Sequence, residues 1–166
     1  PHTLYNLDQL ALDHRKAALI VEGEKAADAA SRLFPDRVVV TWRGGANASE
    51  KTDFTPLKDR DVVLWPDADD PGRAVMSLLA GRLVKLGAAS VHVVEVPDTF
   101  PKGWDLADPS PPDFDAPAAI ETAEPAFASS DQDGADPSSL MPFLLAASDL
   151  LKLELPERDW LIDRLI

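Results

Sequence analysis

The chain contains no cysteine. That excludes a disulfide-stapled scaffold, a zinc–thiolate centre and a cysteine nucleophile, and it suits a reducing compartment such as the cytoplasm. Nor does it hold any apolar run near the roughly 18 residues that a membrane span requires, and it does not open on a secretory signal. No membrane partner is expected. Tyrosine occurs once, at Tyr5, and the three histidines, His2, His14 and His92, show no ligand spacing and read as structural. Positive charge is also scarce: 16 Lys and Arg stand against 29 Asp and Glu, a net charge of −13. Phosphate binding calls for a basic face, so the chain by itself is expected to grip DNA poorly and to rely on partner domains for a basic track.

The shortage of base is uneven. Residues 1–94 hold 13 acids and 12 bases, whereas residues 95–166 hold 16 acids and 4 bases. The first half is thus nearly neutral, with its carboxylates in particular places. At 166 residues the chain fits one domain with an appendage. It begins at Pro1 and stops at Leu165-Ile166 in mid-pattern, and it reads as a fragment of a longer protein.

Strand and helix signals alternate in the first half. Ala18-Leu19-Ile20-Val21 is the apolar run of a strand buried on both faces. Glu24 to Phe34 reads as a helix with Ala26, Ala30, Leu33 and Phe34 inward, and Arg37 to Trp42 as a second strand. A Gly44-Gly45 loop leads to a third strand, Asp61 to Trp65. Pro71 starts a helix that runs to about Leu86 before Gly87, with Val75, Leu79, Leu83 and Leu86 inward, and Ser90 to Val96 is a fourth strand. The fold class expected is α/β: a four-stranded, mainly parallel, Rossmann-like sheet flanked by helices. Beyond Val96, nine of the 15 prolines fall between Pro97 and Pro142. The domain is therefore expected to span residues 1–110. A Pro-rich acidic linker at 111–141, with one short helix near Ala116–Ala123, would form a C-terminal extension, and 142–166 would lead into a following domain.

The acids gather where such a sheet keeps its chemistry, beyond the carboxyl ends of the strands. Glu22 closes the first strand, Asp67 and Asp69 close the third, and Asp105 follows the fourth. Asp67 and Asp69 are two apart, so in extended backbone they point the same way, and Glu22 would face them if the first and third strands are neighbours. Crowded carboxylates repel unless a cation neutralises them, and Mg²⁺ (or Mn²⁺) suits oxygen ligands that share a site with phosphates. Plainer roles compete. Asp70 before Pro71 reads as a helix cap, Asp28 as a surface acid, Lys25 as an exposed helix lysine, and Asp105 as a cap on the turn through Leu106-Ala107-Asp108. Trp42, Trp65 and Trp104 lie beside the expected site, and packing against the sheet is favoured for them over base stacking.

The run Leu19-Ile20-Val21-Glu22-Gly23-Glu24-Lys25, followed about 40 residues later by Asp67-Ala68-Asp69-Asp70-Pro71-Gly72-Arg73, resembles the Toprim signature shared by bacterial-type primases, topoisomerases and some nucleases. Thr41-Trp42-Arg43-Gly44-Gly45-Ala46-Asn47-Ala48 and Lys102-Gly103-Trp104-Asp105 resemble the form found in phage and plasmid primase–helicases. The resemblance covers residues 4–110 or so. It implies that Glu22 is the acid/base carboxylate, that Asp67 and Asp69 complete the catalytic set and hold metal with Glu22, and that Asp105 lies at the edge of the metal site. Lys25, Lys51, Arg73 and Lys102 are the candidate substrate-binding cations. Many primases carry a second acid four residues after the glutamate. Here that position is Ala26, and Asp28 is the nearest replacement, which leaves the number of metals open. Residues 155–163 resemble a lead-in to RecA-like helicase domains. No Gly-rich Lys-Ser/Thr phosphate loop occurs, so ATP hydrolysis by the chain itself is not expected.

The leading functional expectation is RNA primer synthesis on a single-stranded DNA template from NTPs, with a helicase domain in the same chain or in a partner. Nucleic-acid cleavage by the same carboxylates is a second reading, although a topoisomerase would need a nucleophilic tyrosine and only Tyr5 is present. A non-catalytic docking module of a replication protein is a third. A phosphoacceptor aspartate fits least, because the first strand ends in Glu.

Overall fold

Alternation of side chains decides how the sheet is covered. Ala18, Ile20, Val38, Val40, Val62 and Leu64 are buried on one face, while Leu19, Val21, Val39, Val63 and Trp65 are buried on the other. Strands apolar on both faces need helices on both sides, which favours a parallel sheet. The computed structural model, which describes residues 2–44 and 46–126, has this architecture. A short helix α1 (Leu7–Leu12) precedes β1 (Ala18–Ile20), and α2 (Glu24–Leu33) leads to β2 (Val38–Val40). The chain returns past β1 through two 3₁₀ turns, Ala46–Lys51 and Thr55–Leu57, to β3 (Asp61–Leu64). From there α3 (Asp70–Leu86) leads to β4 (Ser90–Val93), and α4 (Ala116–Glu121) and β5 (Glu124–Pro125) follow.

The sheet order is β2-β1-β3-β4-β5, the first four strands parallel and β5 antiparallel to β4. The protein is therefore an α/β fold with a five-strand, mainly parallel mixed sheet flanked by helices, one strand more than the sequence pattern suggests. The extra strand is a two-residue Glu-Pro edge with no alternation to betray it, and proline is tolerated there because an edge strand can forgo a donor. Ala126 N donates to Val91 O at 2.9 Å to continue the pairing. No helix among the described residues is long and apolar enough to cross a membrane.

The alanines of α2 and the aromatic side chains from beyond residue 99 cover one face, while α3 covers the other with Met76, Leu79, Ala80 and Leu83. Leu33, expected inward, is 49% exposed, and Phe34, just past the helix, is buried in its place. Small alanines let α2 lie close to the sheet, and the ring of Phe34 fills the space at its end. Gly87 stops α3 in the left-handed region at φ 92°.

Residues 111–126, read from composition as linker, contribute α4, β5 and two core side chains. Ile120 is buried, and Phe114 packs edge-on against Trp65, Phe100 and Trp104 with ring centroids 4.8–6.1 Å apart. Proline density marked this stretch as irregular, but irregular backbone still carries apolar anchors. The rest of the expected linker and the expected lead-in at 142–166 lie outside the described residues.

α1 carries too little periodicity to be read from sequence. It is held by Arg60, a buried side chain whose guanidinium donates to the carbonyls of Leu10, Asp13 and Lys16 at 2.6–3.0 Å. The carbonyls that a helix end leaves without partners thus receive a fixed cation.

Candidate metal centre at the carboxyl ends of β1 and β3

The register pairs Ala18 with Val62, Leu19 with Val63 and Ile20 with Leu64, and Trp65 N donates to Ile20 O at 2.9 Å. Glu22 therefore leaves β1 beside the point where Pro66 and Asp67 leave β3. From β1 the chain passes to β2 on one side, and β3 lies on the other. The two acids thus sit at the switch point of the sheet, the place where open α/β sheets present a crevice for ligands. The neighbour relation that brings Glu22 towards the Asp67–Asp69 segment is present.

Each acid has a local reason for its position. Gly23 takes a positive φ of 78°, which lets the chain turn sharply from β1 into α2, and its N–H donates to Thr41 Oγ1 at 3.0 Å. That bond ties the backbone next to Glu22 to the end of β2. Asp69, rather than Asp70, caps α3: it is extended, and its Oδ1 accepts from Gly72 N at 2.8 Å. Asp70 is the first helical residue and is exposed, with Pro71 second, so the cap lies one residue earlier than the Asp-Pro pair suggests. A Cβ at Gly72 would stand 3.0 Å from both Cβ and O of Asp67, so only glycine lets the first turn of α3 lie against that residue.

The 66–70 loop is also stitched to the loop after β4. Ala68 N donates to Trp104 O at 3.0 Å, and Gly103 N donates to Ala68 O at 3.1 Å. Beneath that stitch lie Trp104, Phe100, Phe114, Trp65 and Phe34, in successive tilted or edge contacts. Trp42, Trp65 and Trp104 are all buried, so they pack, and none is presented for base stacking. Trp104 Nε1 donates to Pro109 O at 3.0 Å, while Trp65 Nε1 is buried with no hydrogen-bond partner.

The electrostatics centre on Asp67. Burial, followed by the charges of Glu22, Asp105, Asp69 and Asp108, pushes its carboxyl up to about 7. Burial and then the Asp69 charge also raise Glu22, and one of its oxygens, Oε1, is buried without a hydrogen-bond partner. An unpaired buried carboxylate oxygen is costly unless a proton or cation meets it. Asp105 is engaged locally. Its Oδ1 accepts from Ala107 N at 2.6 Å and its N donates to Asp108 Oδ2 at 3.2 Å, which is the turn-capping role. Asp108 contributes to the field on Asp67, yet the sequence offered only its place three residues after Asp105 as a signal.

A divalent cation fits here in one mode. Among the described residues, no three His, Cys, Asp or Glu side chains converge as a finished ligand cage. Mg²⁺ does not require one, since it commonly takes one or two carboxylates and keeps waters for phosphate oxygens. Glu22 and Asp67 offer such a pair, with Asp69 next to them and one of its oxygens committed to Gly72. Ala26, four residues after Glu22, is buried in the core. Asp28 accepts from Tyr5 Oη at 2.9 Å on an exposed part of α2.

The candidate cations are placed unequally. Lys25, in the first turn of α2, lies 3.7 Å from Asp108 and is largely exposed. Lys102 is exposed on the loop that carries Gly103, whose Cβ position is 3.7 Å from Asp69 Oδ2. Arg73 is turned to Val96 O at 3.0 Å and to Asp98 at 2.8 Å. Lys51 ends a 3₁₀ turn that Arg82 holds through Ser49 O and Thr52 O. Beside Glu22 a cavity of about 310 Å³ is lined by Gly23, Glu24, Trp42, Arg43 and Gly44, and Arg43 is ion-paired with Glu24 at 3.0 Å. Comparison of the chain with family models, with curated proteins and with solved structures finds no match.

Proposed function

We propose that this chain is a Toprim-type domain for Mg²⁺- or Mn²⁺-dependent nucleotidyl or phosphoryl transfer on nucleic acid, serving RNA primer synthesis in a cytoplasmic primase–helicase. One observation carries the reading. Glu22 and Asp67 leave adjacent parallel strands at the switch point of the sheet, with an oxygen of Glu22 buried and unpartnered. The order of the acids along the chain, and the glycine that brings α3 against Asp67, support it.

In this reading Asp67 and Asp69 would hold the cation together with Glu22, and Asp105 braces the loop beside them. When bound, the ion supplies positive charge for the phosphate oxygens of the incoming NTP. Glu22, whose carboxyl is raised by burial and by Asp69, is suited to accept the proton of a 3′-hydroxyl as its oxygen bonds to the α-phosphorus of the NTP and pyrophosphate departs. Lys25 and Lys102 stand at the rim where phosphates would arrive. The acidity of the chain assigns the grip on single-stranded template to other domains, the helicase among them.

The test is primer formation on single-stranded DNA by the parent protein with Asp67→Asn and Asp69→Asn. Loss of primers, with single-stranded DNA and supercoiled DNA left uncut by the unaltered protein, supports synthesis. Unchanged synthesis in both variants refutes it, and metal-dependent cutting moves the assignment to a nuclease. A docking module is the reading favoured by the lack of a three-carboxylate cage among the described residues and by buried Ala26. Full replication activity with Glu22→Gln would establish that one instead.

A further inference from the structure

A second cavity, of about 570 Å³, lies on the other side of α3 from the 3₁₀ turns. One row of the helix, Arg73, Ser77 and Ala80, forms its first wall, and the segment from Val93 to Val96 together with Pro125 and Ala126 forms the second. Val84 continues the same row, one helical turn beyond Ala80, and is 48% exposed. Large apolar side chains commonly reach solvent singly, but Val84 extends a groove that already has an apolar floor.

The rim of this groove is acidic. Glu95, Asp98 and Glu124 are all exposed along it, and the one cation of the lining among the described residues, Arg73, is already committed to Asp98 and Val96 O. Such a rim repels phosphates, so nucleic acid and nucleotides are poor occupants. A second copy of the chain is also disfavoured, since it brings another net charge of −13 to the contact. The shape and the charge together ask for apolar anchors on a basic scaffold.

We infer that the groove between α3 and the outgoing end of β4 docks a basic amphipathic segment of a partner protein. Its apolar side chains seat against Ser77, Ala80, Val93 and Pro125, and its Lys or Arg side chains meet Glu95, Asp98 and Glu124. This is the helix-in-groove mode of recognition, in which burial supplies affinity and charge selects the partner. It does not depend on the carboxylate site being catalytic.

The probe is a fluorescent helical peptide of about 15 residues with Leu at i, i+3, i+4 and i+7 and Lys or Arg elsewhere, beside a twin in which every base is Glu. Anisotropy is read on the full chain, on Ser77→Trp, which fills the groove from an exposed position, and on the double variant Glu95→Lys/Glu124→Lys. The basic peptide is expected to bind the unaltered chain and to weaken about tenfold or more with Ser77→Trp. The acidic twin is expected to bind only the charge-reversed variant. Absence of binding overturns the inference. So does binding indifferent to both variants, which would be plain attraction to an acidic protein. A dimer in sedimentation equilibrium that Ser77→Trp dissociates would give the groove to a second copy and overturn the basic partner. If Ser77→Trp unfolds, loss of the basic peptide and gain of the acidic twin by the charge-reversed variant still separate groove binding from plain attraction, and a dimer of the unaltered chain in sedimentation equilibrium still overturns the basic partner.

Discussion

Replacing Asp67 by Asn should stabilise the metal-free protein at pH 8 and flatten its response to pH. The carboxyl of Asp67 ionises near 7 in the folded protein and near 3.8 when unfolded. Because the folded value is the higher one, the folded state holds a proton that the unfolded chain has given up. Its contribution to stability is therefore present below about pH 4 and declines as pH rises towards 7, above which the charged group remains a fixed penalty. At about 1.4 kcal/mol per pH unit, the full linkage would be about 4 kcal/mol. The side chain is half-buried and water screens part of the repulsion, so about 2 kcal/mol is the working figure. For a chain of this length that is a rise in Tm of about 4–8 °C at pH 8 for Asp67→Asn, shrinking to nothing near pH 4. The assay is thermal unfolding of both proteins from pH 4 to 8 with a chelator present, repeated with Mg²⁺ in place of the chelator. A bound cation supplies the neutralisation that the mutation mimics, so Mg²⁺ should raise the Tm of the unaltered protein and leave that of Asp67→Asn where it was. Parallel pH curves for the two proteins, or a lower Tm for Asp67→Asn at pH 8, would refute the reasoning.

Two further substitutions probe how the aspartate loop is held. Gly72→Ala places a Cβ against Asp67 backbone and should cost about 1–3 kcal/mol in denaturant unfolding, while weakening the stabilisation by Mg²⁺. Phe114→Ala removes the ring shared by Trp65, Phe100 and Trp104 and should cost about 3–4 kcal/mol, with a change in tryptophan fluorescence. A near-silent Phe114→Ala would mean that the segment after residue 110 does not support the sheet.

Much of the frame was legible because its signals are periodic and its boundaries chemical. The apolar runs ending at Ile20, Val40 and Leu64 are short and doubly buried, and Gly87 has the φ that closes a helix. The candidate site was legible as far as adjacency goes, because a parallel sheet places successive strand ends on one edge. Finer assignments were not. Asp69 and Asp70 offer the same side chain to the same helix start, and only backbone geometry decides that the extended residue is Asp69. Leu33 and Phe34 are equally apolar and both read as inward, yet only Phe34 is buried, which rests on how closely an alanine-faced helix approaches the sheet. β5 and α1 are too short to carry a period, and they exist because a sheet edge and a buried guanidinium need partners. The role of Phe114 was hidden by the prolines around it, since composition reports backbone irregularity and says nothing of a single ring.

The seating of the aspartate loop on that ring has a consequence for biosynthesis. Phe114 lies 47 residues after Asp67 in the chain. At a synthesis rate of about 5–20 residues per second, the loop and the sheet end below it exist for roughly 2–9 s before the ring that covers Trp65 is made. During that interval an indole and a knot of acids face solvent at the growing end of the domain. The crevice is thus completed on the ribosome only after β1 to β4 have all been made, and slow codons between residues 67 and 114 would prolong its exposure to chaperones.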